Sequence, residues 1–138
     1  PSTDTGRIDY CPQGWNYYKL SCFKYFRQPK SWDEAERHCQ ASHDGAHLAW
    51  VEEPREAHTL RRVISFYQRV HPVWLGLRYG QESQTWQWAS GDKYSNSHSG
   101  LAGNGAQGGT CGVLTHTSGF TVWSSTACEK PHHYICKF

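Results

Sequence analysis

Hydrophobic spacing changes character near residue 72 of this chain. Before it, apolar residues recur at helical intervals; after it, short apolar runs and strict alternation take over. Residues 11–22 enclose Trp15, Tyr17 and Tyr18 and read as a short hairpin turning at Asn16, and Phe23 and Tyr25 then alternate with polar neighbours like a strand. Ser31-Trp32-Asp33-Glu34 is a capping box, in which hydroxyl and carboxylate each satisfy a free backbone N–H. Trp32, Ala35 and Cys39 continue at helical spacing, and Gly45 supplies the stop. A second helix is predicted from Pro54, suited to a first turn, to Tyr67, with Ala57, Leu60, Ile64 and Tyr67 along one face.

After Pro72 the run Val73-Trp74-Leu75-Gly76-Leu77 is of strand type, and Gly76 implies close backbone or ring approach. Trp86-Gln87-Trp88 alternates, so both indoles share a face. Residues 91–109 are Ser, Asn, Gly and Ala without a period, a loop long enough to be functional or disordered. Strand-like pieces at residues 112–115, 120–123 and 134–137 close the chain. Two early helices and several late strands, expected to be antiparallel, make the fold class α+β. Residues 1–10 are expected to be a flexible tail and 11–138 a single domain.

Composition adds a compartment. Six cysteines with no CxxC and no metal-ligand spacing read as a disulfide framework, and hence as a secreted, extracellular protein. The chain opens without a leader peptide, as a mature form would, and no N-glycosylation sequon occurs. No apolar run approaches membrane-spanning length. A net charge of +2 is too small to argue for nucleic acid. Its placement is uneven: residues 93–138 carry Lys93, Lys130 and Lys137 against Glu129 alone, and no Asp or Glu lies between Lys93 and Cys128. No catalytic motif is present, Glu52 and Glu53 are adjacent and would diverge on a helix, and cysteines held in disulfides leave no thiol nucleophile; a non-enzymatic role is expected.

Trp74-Leu75-Gly76-Leu77, Trp86-x-Trp88, the order Cys111…Trp123…Cys128 and the terminal Tyr134-Ile135-Cys136 together resemble a C-type lectin-like domain. Gly45-Ala46-His47-Leu48-Ala49, Tyr67-Gln68-Arg69 and Trp123-Ser124-Ser125 make the regenerating (Reg, pancreatic-stone) group the nearest likeness, its fourth mammalian branch in particular, with eggshell-matrix lectins more distant. The resemblance implies two helices, antiparallel sheets, a long loop and the pairings Cys11–Cys22, Cys39–Cys136 and Cys111–Cys128. Sugar-binding members hold calcium through Glu-Pro-Asn or Gln-Pro-Asp in the long loop, then Trp-Asn-Asp. Here the loop lacks both carboxylate and proline, and the second motif reads Trp123-Ser124-Ser125. Calcium wants six to eight oxygens, with carboxylates dominant, so no metal or other cofactor is expected.

A calcium-independent binding protein for glycans, mannose-type or sulfated such as heparin, follows from that resemblance. Tyr94, Asn96, His98, Asn104 and Gln107 on the loop, with Thr115, His116, Thr117 and Thr121 on neighbouring strands, would hydrogen-bond neutral sugars; a Gly-rich spacer is the plain alternative. Arg61, Arg62 and Arg69 form a basic edge on the second helix, extended by Arg78 and Lys93, and would pair with sulfate or carboxylate; an ordinary solvated helix face is the alternative there. Trp74, Trp86, Trp88 and Trp123 read as core before stacking platforms. His43 and His47 have helical spacing but Gly45 between them, and His132-His133 reads as a solvated turn. Partners are expected to be polysaccharide or glycoprotein glycans, or a cell-surface receptor, met by a monomer. Rival functions are a mineral- or ice-surface role, the latter through Thr115, Thr117 and Thr121, and a non-covalent receptor ligand.

Overall fold

The reciprocal cap at Ser31 is in place: Glu34 N donates to Ser31 Oγ at 3.2 Å and Ser31 N donates to Glu34 Oε1 at 3.1 Å. It opens helix α1, Trp32–Ser42, which buries Trp32, Ala35, Glu36 and Cys39. Helix α2 spans Pro54–Tyr67, with Pro54 in its first turn, and buries Glu56, Ala57, Leu60, Val63 and Ile64. Both helices therefore start where their sequence punctuation places them. The computed structural model describes residues 11–18, 21–92, 94, 101–103 and 108–138; the tail expected at residues 1–10 lies outside them.

The strands are β1 (Asn16–Tyr18), β2 (Ser21–Lys30), β3 (His47–Leu48), β4 (Val73–Gly80), β5 (Thr85–Trp88), β6 (Ala102–Gly103), β7 (Cys111–Leu114), β8 (Val122–Thr126) and β9 (His132–Lys137). Hydrogen bonding links them in the order β1-β2-β9-β4-β7-β8-β6, with β3 on β9 and β5 on β4. The sheet is mixed, which corrects the antiparallel expectation: β4 runs parallel to β9, and β6 parallel to β8. The last strand inserts between β2 and β4, and a strand that pairs antiparallel with β2 then has to run alongside β4.

Two turns also differ from expectation. Asn16 opens β1 instead of turning, with Tyr18 opposite Ser21. The Pro12-Gln13-Gly14 segment takes the reversal before it, with Trp15 N bonded to Pro12 O at 3.0 Å and Gly14 at φ 93°. Phe120 is not in a strand. It follows Gly119 (φ 68°) at φ 60° and is 3% exposed, so its ring enters the core from a left-handed turn and β8 begins only at Val122.

One core cluster joins α2 to the sheet through Phe23, Leu60, Ile64, Leu75, Leu77, Trp88, Leu101, Leu114, Phe120, Trp123 and Ile135. A second lies under α1, around Trp32, Cys39, Leu48, Trp74, Tyr134 and Cys136. Gly76 sits between them, where a Cβ would lie 2.5 Å from Leu48 O. Trp74 is fully buried with its indole N–H on Lys30 O at 2.7 Å. The disulfides are Cys11–Cys22, Cys39–Cys136 and Cys111–Cys128, as the resemblance implies, and no described cysteine is free. No helix among the described residues is long and apolar enough to cross a membrane.

Candidate functional site

Three residues support the long-loop side. Trp123 Nε1 donates to Tyr94 Oη at 2.8 Å, and Tyr94 Oη donates to Leu101 O at 2.8 Å. Burial pushes the Tyr94 phenol above its ordinary range, with the Trp123 hydrogen bond acting the other way. Leu101 is buried, and Gly103 lies so close to the Trp123 indole that a Cβ there would be 2.0 Å from Cε2. The described part of the loop is thus anchored on Trp123, and the Tyr94 hydroxyl is engaged with Trp123 and Leu101. Trp86 meets the same indole edge-on at 4.6 Å. Trp74, Trp88 and Trp123 are core residues, not exposed platforms.

Thr115, His116 and Thr117 were expected on strands. His116 and Thr117 lie instead on a 3-10 turn, His116–Ser118, between β7 and β8, and Thr115 is the extended residue that precedes it. Thr115 Oγ1 and Thr117 Oγ1 are 2.9 Å apart, Ser118 Oγ donates to Thr115 O and Val122 O, each at 3.1 Å, and Thr121 Oγ1 donates to Ser118 O at 2.5 Å. The result is a rigid knot of hydroxyls with His116 and Thr117 outermost. Because the threonines sit on a turn with engaged hydroxyls, they do not form the strand-face row that ice binding would use. In β8, Ser125 Oγ accepts from Gly108 N at 3.0 Å. Asn96, His98, Asn104, Gln107 and Lys93 lie outside the described residues.

The basic edge does not hold together. Arg69 falls beyond the end of α2. Arg61 donates to His58 Nδ1 at 2.6 Å and lines a 240 Å³ pocket with Leu101, Phe120 and Thr121, beside the hydroxyl knot. Arg78 is 3.2 Å from Asp33 Oδ1 and stacks 5.2 Å over Trp32, next to a 330 Å³ pocket with Tyr79 and Trp88. Arg62 and Arg69 line a third and larger groove, 520 Å³, between β1 and α2. Neighbouring helix residues 61 and 62 point to different sides, so one predicted patch becomes three separate environments.

His43, His47, His132 and His133 make contacts within the fold. His43 stacks on Phe138 at 3.6 Å, and His47 Nδ1 lies 2.6 Å from Glu36 Oε2. His132 and His133 belong to β9, which corrects the solvated-turn reading. His132 abuts the Trp74 ring, and His133 Nδ1 lies 2.8 Å from Tyr25 Oη. Burial, then Lys130 and His133, lowers the His132 pKa; burial, then His71 and Arg27, lowers that of His133. Among the described residues no group of His, Cys, Asp or Glu is arranged to hold a metal.

Sequence reasoning missed a buried charge. Lys137 is wholly buried, with Nζ 2.5 Å from Glu56 Oε2, 3.5 Å from Glu52 Oε2 and 3.2 Å from Trp50 O, and 4.1 Å from the Trp50 ring centroid. Glu56 Oε1 accepts from Glu52 N at 2.9 Å. The ammonium therefore occupies a small cage of oxygens and contributes nothing to the surface positive charge assigned to residues 93–138.

Residues 28–138 match the family described as Lectin C-type domain. The chain is 40% identical to human regenerating islet-derived protein 4 over 129 residues, 93% of this chain and 80% of that protein. Among solved structures, human lithostathine superposes with a TM-score of 0.84 at 26% identity, covering 100% of this chain and 96% of that one. Ovocleidin-17, a major protein of the Gallus gallus eggshell calcified layer, gives 0.80 at 25% identity, covering 92% and 97%.

Proposed function

The chain belongs to the Lectin C-type domain family, with regenerating proteins among its relatives, and on that premise we infer that it is a secreted, calcium-independent binding module for neutral, mannose-type glycans. The observation that carries this reading is the pairing of a rigid hydroxyl knot with a carboxylate-free loop region. Thr115, Thr117 and Thr121 carry hydroxyls fixed by hydrogen bonds within the turn, with lone pairs left to accept, and the exposed His116 stands among them. Arg61 stands beside them across the small pocket, and Asn96, His98, Asn104 and Gln107 would add amides and an imidazole from the loop. Preorganised hydroxyls lose little entropy on meeting a sugar, whereas hydroxyls and amides alone make a poor calcium cage. Secretion rests on three disulfides, which persist in oxidising compartments.

A glycan array probed in EDTA and again with calcium tests the reading. Equal binding of mannose-type glycans in both conditions is expected, together with loss in Thr117→Val and Thr121→Val variants. Binding to nothing in either buffer would refute it. A mineral-surface role is the second reading, favoured by the likeness to an eggshell protein. Between Lys93 and Cys128 there is no carboxylate to meet a calcium carbonate lattice, and calcite grown with unchanged morphology in the protein's presence would remove this alternative.

A further inference from the structure

Exposed apolar bulk is scarce on this molecule and gathered in one place. Tyr17, Phe66 and Val70 are the exposed large apolar side chains among the described residues, and Phe66 is 82% exposed. Tyr17 and Phe66 line the 520 Å³ groove between β1 and α2, and Val70 directly follows Arg69, another lining residue. Large apolar groups gathered on one face mark an interaction surface. The same groove holds two cations of a kind not found elsewhere in the fold. Arg27, Arg61 and Arg78 each engage a neighbour, through Tyr67, His58 and Asp33 respectively. Arg62 and Arg69 are exposed and make no ion pair or hydrogen bond among the described residues. No carboxylate lines the groove, so it presents charge of one sign. What covers it is therefore anionic as well as apolar.

Residue type and spacing narrow the partner further. Tyr, Phe and Arg are the side chains that protein interfaces concentrate, while acidic residues are depleted there. Arg62, Phe66 and Arg69 stand at i, i+4 and i+7, a stripe in helical register that runs to just past the end of α2. It reads cation, ring, cation, and its ends lie about 10 Å apart along the axis. An extended chain turns alternate side chains to one side, and its positions i, i+2 and i+4 span about 13 Å. Two long arginine side chains cover that difference. Matching the stripe position by position gives an acid, an apolar residue and an acid. The apolar side chain enters between the walls that carry Phe66 and Tyr17, and the guanidinium forks take the two carboxylates. Asn16, Thr59 and Ser65 supply polar lining suited to the backbone N–H and C=O groups of such a chain. We propose that this groove docks a protein partner through an extended segment whose acidic side chains flank an apolar one at alternate positions.

Fluorescence anisotropy with labelled peptides tests spacing as well as charge. Ser-Glu-Ser-Leu-Ser-Glu-Ser carries the alternating pattern, Ser-Ser-Glu-Glu-Leu-Ser-Ser has the same composition without it, and Ser-Glu-Ser-Ser-Ser-Glu-Ser lacks the apolar residue. The first should bind, and the other two about tenfold more weakly. Arg62→Gln and Arg69→Gln should each weaken the first about tenfold, the size of a lost charge-assisted hydrogen bond. Phe66→Ala should erase the preference for the Leu-containing peptide over its Ser counterpart; that side chain is almost wholly in solvent, so its truncation leaves the fold intact. Arg37→Gln, on α1 and outside the groove, removes an exposed charge of the same kind and should change affinity by no more than about twofold. The groove draws on residues 16–18 and 59–69 only, so an excess of mannose oligosaccharide should leave the peptide bound. No binding of the first peptide, equal affinity for the rearranged one, an equal loss in Arg37→Gln, or displacement by mannose would each overturn the proposal.

Discussion

Lys137 and Glu56 meet at 2.5 Å with side chains only 1% and 5% exposed. A pair so far from water draws little net stability from its own attraction, because desolvation offsets most of it, but removing one partner strands the other. Lys137→Met should therefore cost about 3–5 kcal/mol, read as a lower urea midpoint at unchanged slope. Lys137→Met with Glu56→Leu should recover much of that, since no uncompensated charge remains. Half of this pair was legible in the sequence. Glu56 stands four residues before Leu60, on the apolar face of α2, where a carboxylate has to find a partner. Nothing local identifies that partner, because Lys137 reaches Glu56 only once β9 has entered the sheet. Tyr94 has a similar hidden partner: a tyrosine in a polar loop gives no local sign that Trp123 donates to its hydroxyl.

At the level of elements, the start of β9 is where protons act. His133 faces Tyr25 from β2 at 2.8 Å, His71 from the α2–β4 connection with ring centroids 4.6 Å apart, and Arg27 on β2, while His132 has Lys130 nearby. Tyr25 itself, pushed up to about 12 chiefly by burial, stays neutral and stacks on Tyr67 at 5.3 Å. In the unfolded chain the imidazoles of His132 and His133 take up protons near pH 6.5; in the fold they resist until lower pH, as does His38. The unfolded state then binds more protons in that interval, so stability is full above about pH 6.5, falls as pH drops below it, and levels off beneath the folded values. Melting temperature should decline from pH 7.5 to pH 5, and a His132→Gln, His133→Gln double variant should flatten the decline; an unaltered slope would contradict the assignment. Helix limits were readable because Ser31, Glu34 and Pro54 are local signals that act within their own element. Turns were less so. Phe120 adopts φ 60°, which a bulky residue rarely does, because burial of its ring outweighs its backbone preference.

Taken as a whole, the molecule is closed by three covalent links, with Cys111–Cys128 nested inside Cys39–Cys136 and Cys11–Cys22 ahead of both. Cys39–Cys136 spans 97 residues and Cys11–Cys22 spans 11; the chain-entropy model gives about 4.7 and about 3 kcal/mol respectively. Replacing Cys39 and Cys136 together by Ala should lower stability more than replacing Cys11 and Cys22, and comparison of their thermal transitions measures the difference. Cysteine number indicated a stapled fold, but the pairing came through the Trp and Cys pattern of a family, since spacing alone leaves many connectivities open. The groove had no such pattern. Arg62 and Arg69 come from the α2 region, Tyr17 from β1, and only folding brings them to opposite walls. The same nesting has a mechanical side. If the chain were drawn taut by its two ends, as a tethered glycan binder would be in flow, the stretch between Cys39 and Cys136 would be bypassed by the force. Tension could extend only the residues outside the covalent loops, so the hydroxyl knot and α2 would bear almost none of the load while residues 23–38, between Cys22 and Cys39, lengthened like a short spring.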